Sequence, residues 1–218
     1  MSELEIAMRH QMTRVFQVVA EQRLASANDG NITIRLDDER LLITPAGLYK
    51  RWLEPDDLLI IDLNGNLLEG KPGLRPTSEI LLHLEVYRQR MDVNAALHAH
   101  PPYATALTVA EIPFPIDQIP EVIATLGEVP TAPYATPGTP ELATSIRELI
   151  KTHNAMLLSH HGSLTVGRTI EETLISLERL EHAARVFFFA RSMGKVTPLP
   201  EEEVTRLRRC VSSHNRVY

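Results

Sequence analysis

Cysteine is nearly absent: Cys210 is the one copy in 218 residues, which excludes an intrachain disulfide and any metal cluster built on cysteine thiolates. No run approaches the ~20 apolar residues of a membrane-spanning helix. The opening MSELEIAMRHQM is charged and helical in pattern, where a secretory leader would have an apolar centre. Repeats, low-complexity stretches and linkers are missing too. Nor is there a basic block: Lys and Arg total 22 against 28 Asp and Glu, scattered along the chain, for a net charge of −6. Binding a phosphate backbone needs a clustered basic surface, so nucleic acid is not the expected partner, although a local pocket for one small anion stays compatible. These absences leave a soluble cytoplasmic protein with no membrane segment as the expectation.

What remains has the composition of a folded domain, 44% hydrophobic and 23% charged. A chain of 218 residues is long enough for one sizeable core, and residues 1–218 are expected to form a single domain. Leu4, Met8, Met12, Val15, Val18 and Val19 recur at helical spacing, so the chain opens on an amphipathic helix over 3–24. Polar turn chemistry at 26–31 precedes two strands, NITIRL and RLLITP, and a second hairpin turns at Asn64-Gly65. Thr77 or Ser78 caps the next helix, SEILLHLEVYRQR, and AALHAH reads as a strand. A proline-rich loop covers 113–120, a short strand 129–132 and a helix 141–151. The strand AMLLSHHG, the strand SLTVG, a long helix over 169–191 and a last one over 201–212 complete the pass. The fold class is α/β, a single three-layer α/β/α domain with a central mixed, mostly antiparallel sheet, since the hairpins exclude a wholly parallel one.

Histidine is the unusual entry, with nine copies. In His98-Ala99-His100, residues i and i+2 of a strand face the same way, so both imidazoles can converge on one ion. The bland alternative is two polar residues on a half-exposed strand. In Ser159-His160-His161-Gly162, an apolar strand ends in imidazoles, an expensive placement unless something binds them. Adjacent strand residues face opposite ways, so one of His160 and His161 would join a shared site. Pro76-Thr77-Ser78-Glu79 presents two hydroxyls at a helix start, which suits either a phosphate or plain capping. His83 and His182 read as packing or surface residues.

The ordered set GNITIR, ITPAG, PTSE, HAH and HHG resembles the class II aldolase/adducin-head family, whose members include fuculose-phosphate aldolases and ribulose-phosphate 4-epimerases. The resemblance runs from about residue 5 to 212. It implies a divalent metal, usually zinc, with Mn2+ or Co2+ as substitutes, held by His98, His100 and His161. It implies Glu79 as a fourth, resting ligand that then serves as acid/base. It places a sugar phosphate on Gly30, Asn31, Gly47, Thr77 and Ser78, and implies a homotetramer with sites at subunit boundaries. A metal with three imidazoles can polarise a substrate carbonyl and stabilise the enediolate of an aldol cleavage.

Three departures bear on the reaction. Asn28 and Ala46 stand where the family's aldolases carry hydroxyl residues. The stretch FPIDQIP, residues 114–120, lacks the aldolases' general-acid Tyr and offers Asp117, as the epimerases do in a comparable loop. At the C-terminal end, His214 lies near a functional Tyr of the aldolases, with Tyr218 slightly beyond. The leading expectation is a lyase that cleaves a ketose 1-phosphate into dihydroxyacetone phosphate and a short aldehyde. A sugar-phosphate 4-epimerase, dehydratase or decarboxylase on the same metal site is the alternative, with a non-catalytic adducin-like head a third.

Overall fold

The computed structural model describes residues 2–213. Helix α1 (Glu3–Glu21) opens the chain, with the Ser2 side chain accepting from the Glu5 amide. Strands β1 (Asn31–Arg35) and β2 (Arg40–Ile43) follow, joined by a turn in which the Asp37 carboxylate accepts from the amides of Glu39 and Arg40. Two 3₁₀ turns that the periodicity does not announce, Lys50–Trp52 and Pro55–Asp57, lead into β3 (Leu59–Asp62) and β4 (Leu67–Glu69). Then come α2 (Ile80–Gln89), β5 (Ala95–Ala99), α3 (Pro102–Val109), α4 (Pro120–Thr125), β6 (Thr131–Ala132) and α5 (Pro140–Ile150). The chain continues through β7 (Ala155–Leu158), β8 (Gly162–Gly167), α6 (Ile170–Met193) and α7 (Glu201–Ser213).

The strands form one eight-stranded sheet in the order β4-β3-β2-β1-β5-β8-β7-β6. Every neighbouring pair is antiparallel except β6–β7. The layers follow from the two-residue period of a strand. Leu41, Ile43, Leu59, Ile61, Ala96, Met156 and Leu158 face α2 and α5. The intervening Ile32, Leu42, Ile60, Leu97, Ala155 and Leu157 face α1, α3, α4 and α6. The result is the expected three-layer α/β/α arrangement on a mixed, mostly antiparallel sheet. Among the described residues no helix is long and apolar enough to cross a membrane.

Two local expectations are corrected. The helix expected to start on Thr77 or Ser78 starts at Ile80, with Glu79 in the cap position and no side-chain cap. The reason is tertiary: the Thr77 amide donates to the Thr44 carbonyl at 3.2 Å beside a Pro45–Pro76 bridge, which keeps this stretch extended. The strand expected to run through His161 ends at Leu158. His160 sits in the left-handed region at φ 54°, and the His161 amide donates to the Leu158 carbonyl at 3.0 Å, so the chain reverses and β8 pairs back on β7.

Candidate active site

Alternation along β5 turns His98 toward the α2 side of the sheet, the side to which Ala96 also points. Its Nδ1 lies 2.9 Å from the Ser163 carbonyl, which accepts the ring proton there and turns Nε2 inward. His100, one residue beyond β5, is pinned by its amide to the Leu24 carbonyl at 2.9 Å. Its Nδ1 lies 3.5 Å from the Asp29 carboxylate. The β7–β8 turn delivers His161, while His160 points away and meets Tyr134 edge-on at 6.3 Å between ring centres. Only one of the two adjacent histidines therefore joins the cluster, though a turn separates them and not strand alternation.

The geometry is convergent. His98 Nε2 lies 2.9 Å from His100 Nε2 and 3.0 Å from Glu79 Oε2, and His161 Nε2 lies 3.3 Å from Glu79 Oε1. Ligand atoms of Glu79, His98, His100 and His161 all lie within 4.8 Å of one another. Burial, with charge on neighbouring imidazole, pushes His100 and His161 down to about 4, so both rings are neutral near pH 7. Burial pushes Glu79 up, but the adjacent His98 and the hydrogen bonds from His98 and Asn31 outweigh it and hold the carboxyl well below the usual range.

These residues fit a divalent cation. Among the described residues, Glu79 Oε1 and His161 Nδ1 are buried without a hydrogen-bond partner. Imidazole nitrogens pressed together around an ionised carboxylate are the surroundings a cation would satisfy. Three nitrogens and one carboxylate suit zinc and its first-row neighbours better than calcium or magnesium, which favour all-oxygen sets. Gly162 makes the approach possible: a Cβ there would run into the Ala99 carbonyl and come within 2.8 Å of His100 Cδ2. Gly30, at φ +78°, admits a backbone turn whose Cβ would lie 3.1 Å from the His98 carbonyl.

The stretches expected to hold phosphate are tied together by backbone bonds. The Ile32 amide donates to Thr44 Oγ1 and the Thr44 amide to the Ile32 carbonyl, both at 3.1 Å. The Ala46 amide donates to the Arg75 carbonyl at 2.9 Å, and Thr77 to Thr44 as above, so residues 30–32, 44–47 and 75–78 meet. Gly47 takes φ +77° with open space around it, Thr77 is buried and Ser78 is exposed. Asn31 also reaches the four-residue cluster: its Nδ2 donates to Glu79 Oε2 at 2.9 Å and its Oδ1 faces His83 Nε2. Lys50, which the sequence did not single out, is 2% exposed under the 44–47 turn and donates to the Pro45 carbonyl. Burial pushes its amine down to about 8.

Asp117 is not part of the four-residue cluster. It lies between α3 and α4, where it accepts from Gln118 Nε2 at 2.7 Å and its carbonyl accepts from the Leu199 amide at 2.9 Å. His214 and Tyr218 lie outside the described residues. His83, expected at the surface or in plain packing, is fully buried and hydrogen-bonded at both ring nitrogens. A signal for it was present: Glu79, His83 and Tyr87 recur every four residues, and Asn31, Thr33 and Arg35 every two.

Comparison with known proteins agrees with this geometry. The model of the family described as "Class II Aldolase and Adducin N-terminal domain" matches residues 10–188. The chain is 34% identical to a 5-deoxy-D-ribulose 1-phosphate aldolase of Bacillus thuringiensis serovar kurstaki, over 84% of this chain and 85% of that one. It is 30% identical to a 3-oxo-tetronate 4-phosphate decarboxylase of Haemophilus influenzae, over 93% of this chain and 97% of that one. The crystal structure of YgbL from Escherichia coli superposes with a TM-score of 0.87 at 29% identity, covering 94% of this chain and all of that one. With the family model spanning most of the chain and relatives 30% or more identical over 85% or more of their length, the chain belongs to the class II aldolase and adducin N-terminal domain family.

Proposed function

We propose that the chain is a divalent-metal lyase, of the zinc type, that cleaves a ketose 1-phosphate to dihydroxyacetone phosphate and a short aldehyde. The observation that carries this reading is the convergence of His98, His100, His161 and Glu79 within 4.8 Å. These four would hold the ion, which when bound supplies Lewis acidity toward the substrate carbonyl. Cleavage breaks the C3–C4 bond: the C4 hydroxyl gives its proton to a general base, its oxygen becomes the aldehyde, and the bond electrons pass to C3. Glu79 would deliver to C3 a proton taken up from solvent, completing dihydroxyacetone phosphate. Gly30, Gly47, Thr77 and Ser78 would fix the phosphate, with the second amide hydrogen of Asn31 directed at the same anion, so that remote binding energy becomes orientation. Asp117, outside the cluster in its own chain, would take the C4 hydroxyl proton from a neighbouring subunit of a homotetramer, and would be the general acid of the reverse condensation.

The test is a coupled assay of the zinc-loaded protein on ribulose 1-phosphate, fuculose 1-phosphate and rhamnulose 1-phosphate, reading dihydroxyacetone phosphate with and without chelator. Chelator-sensitive release on at least one substrate is expected. The second reading, decarboxylation of a 3-oxo sugar-acid phosphate, is favoured by the relative matched over 93% of this chain. It would replace the first if none of the three ketose 1-phosphates is cleaved and 3-oxo-tetronate 4-phosphate releases CO2 in a chelator-sensitive way.

A further inference from the structure

The face of β1 that looks at α2 is polar inside an otherwise apolar layer: Asn31, Thr33 and Arg35 are all buried there. Opposite them, in or just before α2, stand Glu79, His83 and Tyr87. Four residues of helix advance about 6 Å and two residues of strand about 6.7 Å, so the two stripes stay in register over three rungs. Glu79 meets Asn31 at 2.9 Å and His83 meets Thr33 at 2.7 Å. The Arg35 guanidinium lies 4.8 Å from the centre of the Tyr87 ring.

The donors fix the direction of this ladder. An ionised carboxylate only accepts, so the Asn31 Nδ2 must face Glu79 Oε2, and Oδ1 is left toward His83. That oxygen also only accepts, so His83 carries its proton on Nε2. Nδ1 is then an acceptor and takes the Thr33 hydroxyl, and the Tyr87 hydroxyl holds Thr33 from behind, 3.0 Å from both its Oγ1 and its carbonyl oxygen. Reversing the Asn31 amide would set oxygen against carboxylate at one end and strand the His83 proton at the other.

We propose that Asn31 and His83 are positioning residues for Glu79, rungs of a directed ladder from Tyr87 that anchors Oε2 and leaves Oε1 turned toward His161. The proposal rests on the reading of Glu79 as ligand and acid/base. It gives the two oxygens of one carboxylate different duties: Oε2 keeps its amide donor on the protein, and Oε1, buried without a hydrogen bond among the described residues and 3.3 Å from His161 Nε2, is the one that engages what enters the site.

The test is titration of the metal-free protein with Co2+, followed by visible absorption, for wild type, His83→Leu, His83→Gln and Thr33→Val. His83→Leu should weaken Co2+ binding about 10- to 100-fold, the scale seen when a partner behind a ligand is removed, and alter the visible bands. His83→Gln keeps an N–H donor for Asn31 Oδ1 and should recover most of that loss. Thr33→Val touches no ligand and is near-isosteric. It should weaken Co2+ binding measurably by freeing the His83 tautomer, which keeps the test open if His83→Leu does not fold. Wild-type affinity and bands in Thr33→Val and in folded His83→Leu would overturn the ladder. So would a His83→Gln protein that melts like wild type yet binds no better than His83→Leu. Wild type that takes up no Co2+ would overturn the metal reading itself, and the ladder's role with it.

Discussion

Glu79 is 7% exposed and holds its charge because His98 and Asn31 surround it, not because water does. Glu79→Gln keeps the size and one oxygen but removes the exchangeable proton. It is expected to leave the three imidazoles binding metal while turnover falls at least ~10²-fold, the scale of a lost acid/base group. Metal content and kcat measured on the same preparation decide this, and near-normal turnover would remove Glu79 from its role. Lys50 makes a different residue-scale prediction. Its amine sits at about 8 in the fold against 10.5 when exposed, so between those values the unfolded chain binds the extra proton and stability rises with pH. Lys50→Met abolishes that term. The stability difference between wild type and variant should therefore move in favour of wild type by up to roughly 3 kcal/mol from pH 7 to 10.5. Urea midpoints across that range measure it, and parallel curves would show that Lys50 is not the group responsible.

At the scale of elements, the β1–α2 ladder carries a pH dependence of the same sense in a more acidic window. Burial pushes His83 down to about 3 from 6.5. The neutral ring's contribution is whole above pH 6.5 and is lost as pH falls toward 3, up to roughly 5 kcal/mol. His83→Gln does not ionise, so its acid unfolding, followed by circular dichroism, should set in at lower pH than that of wild type. Superimposable acid curves would contradict this. Strand and helix periods made most elements readable: the hairpin at Asn64-Gly65, the strand bearing His98 and the long helix after Thr169 all stand where the sequence places them. The failures share a cause. The start of α2 was misread because the Thr77 amide is captured by Thr44, 33 positions upstream, and local capping rules do not see such a contact. The end of β7 was misread because an apolar run does not announce that His160 will adopt a left-handed backbone. His83 was passed over because its meaning lies in a strand 50 positions away.

For the whole molecule, the residues of the four-membered cluster were legible because HAH, HHG and PTSE each carry local chemistry and occur in the family's order. Strand order was not legible, since β1 beside β5 and β5 beside β8 are pairings that no local pattern encodes. Asp117 shows the limit: its distance from the four-residue cluster is a property of the assembled chain, and its proposed duty is a property of an oligomer. The same strand order has a consequence for how the protein persists. Glu79 stands on the N-terminal side of β5 in the chain and His161 in the β7–β8 turn, so the cluster exists only once distant segments have docked through β5. An ion seated there acts as a latch closed after assembly. At a free concentration of 100 Kd it should stabilise the fold by about 2.7 kcal/mol. Nearly all of that should appear as unfolding about 100-fold slower, with the refolding rate unchanged. Stopped-flow chevrons in zinc and in chelator would read it directly: a lowered unfolding arm over a common folding arm. A folding arm that rises with zinc would mean instead that the latch closes early and helps to draw the sheet together.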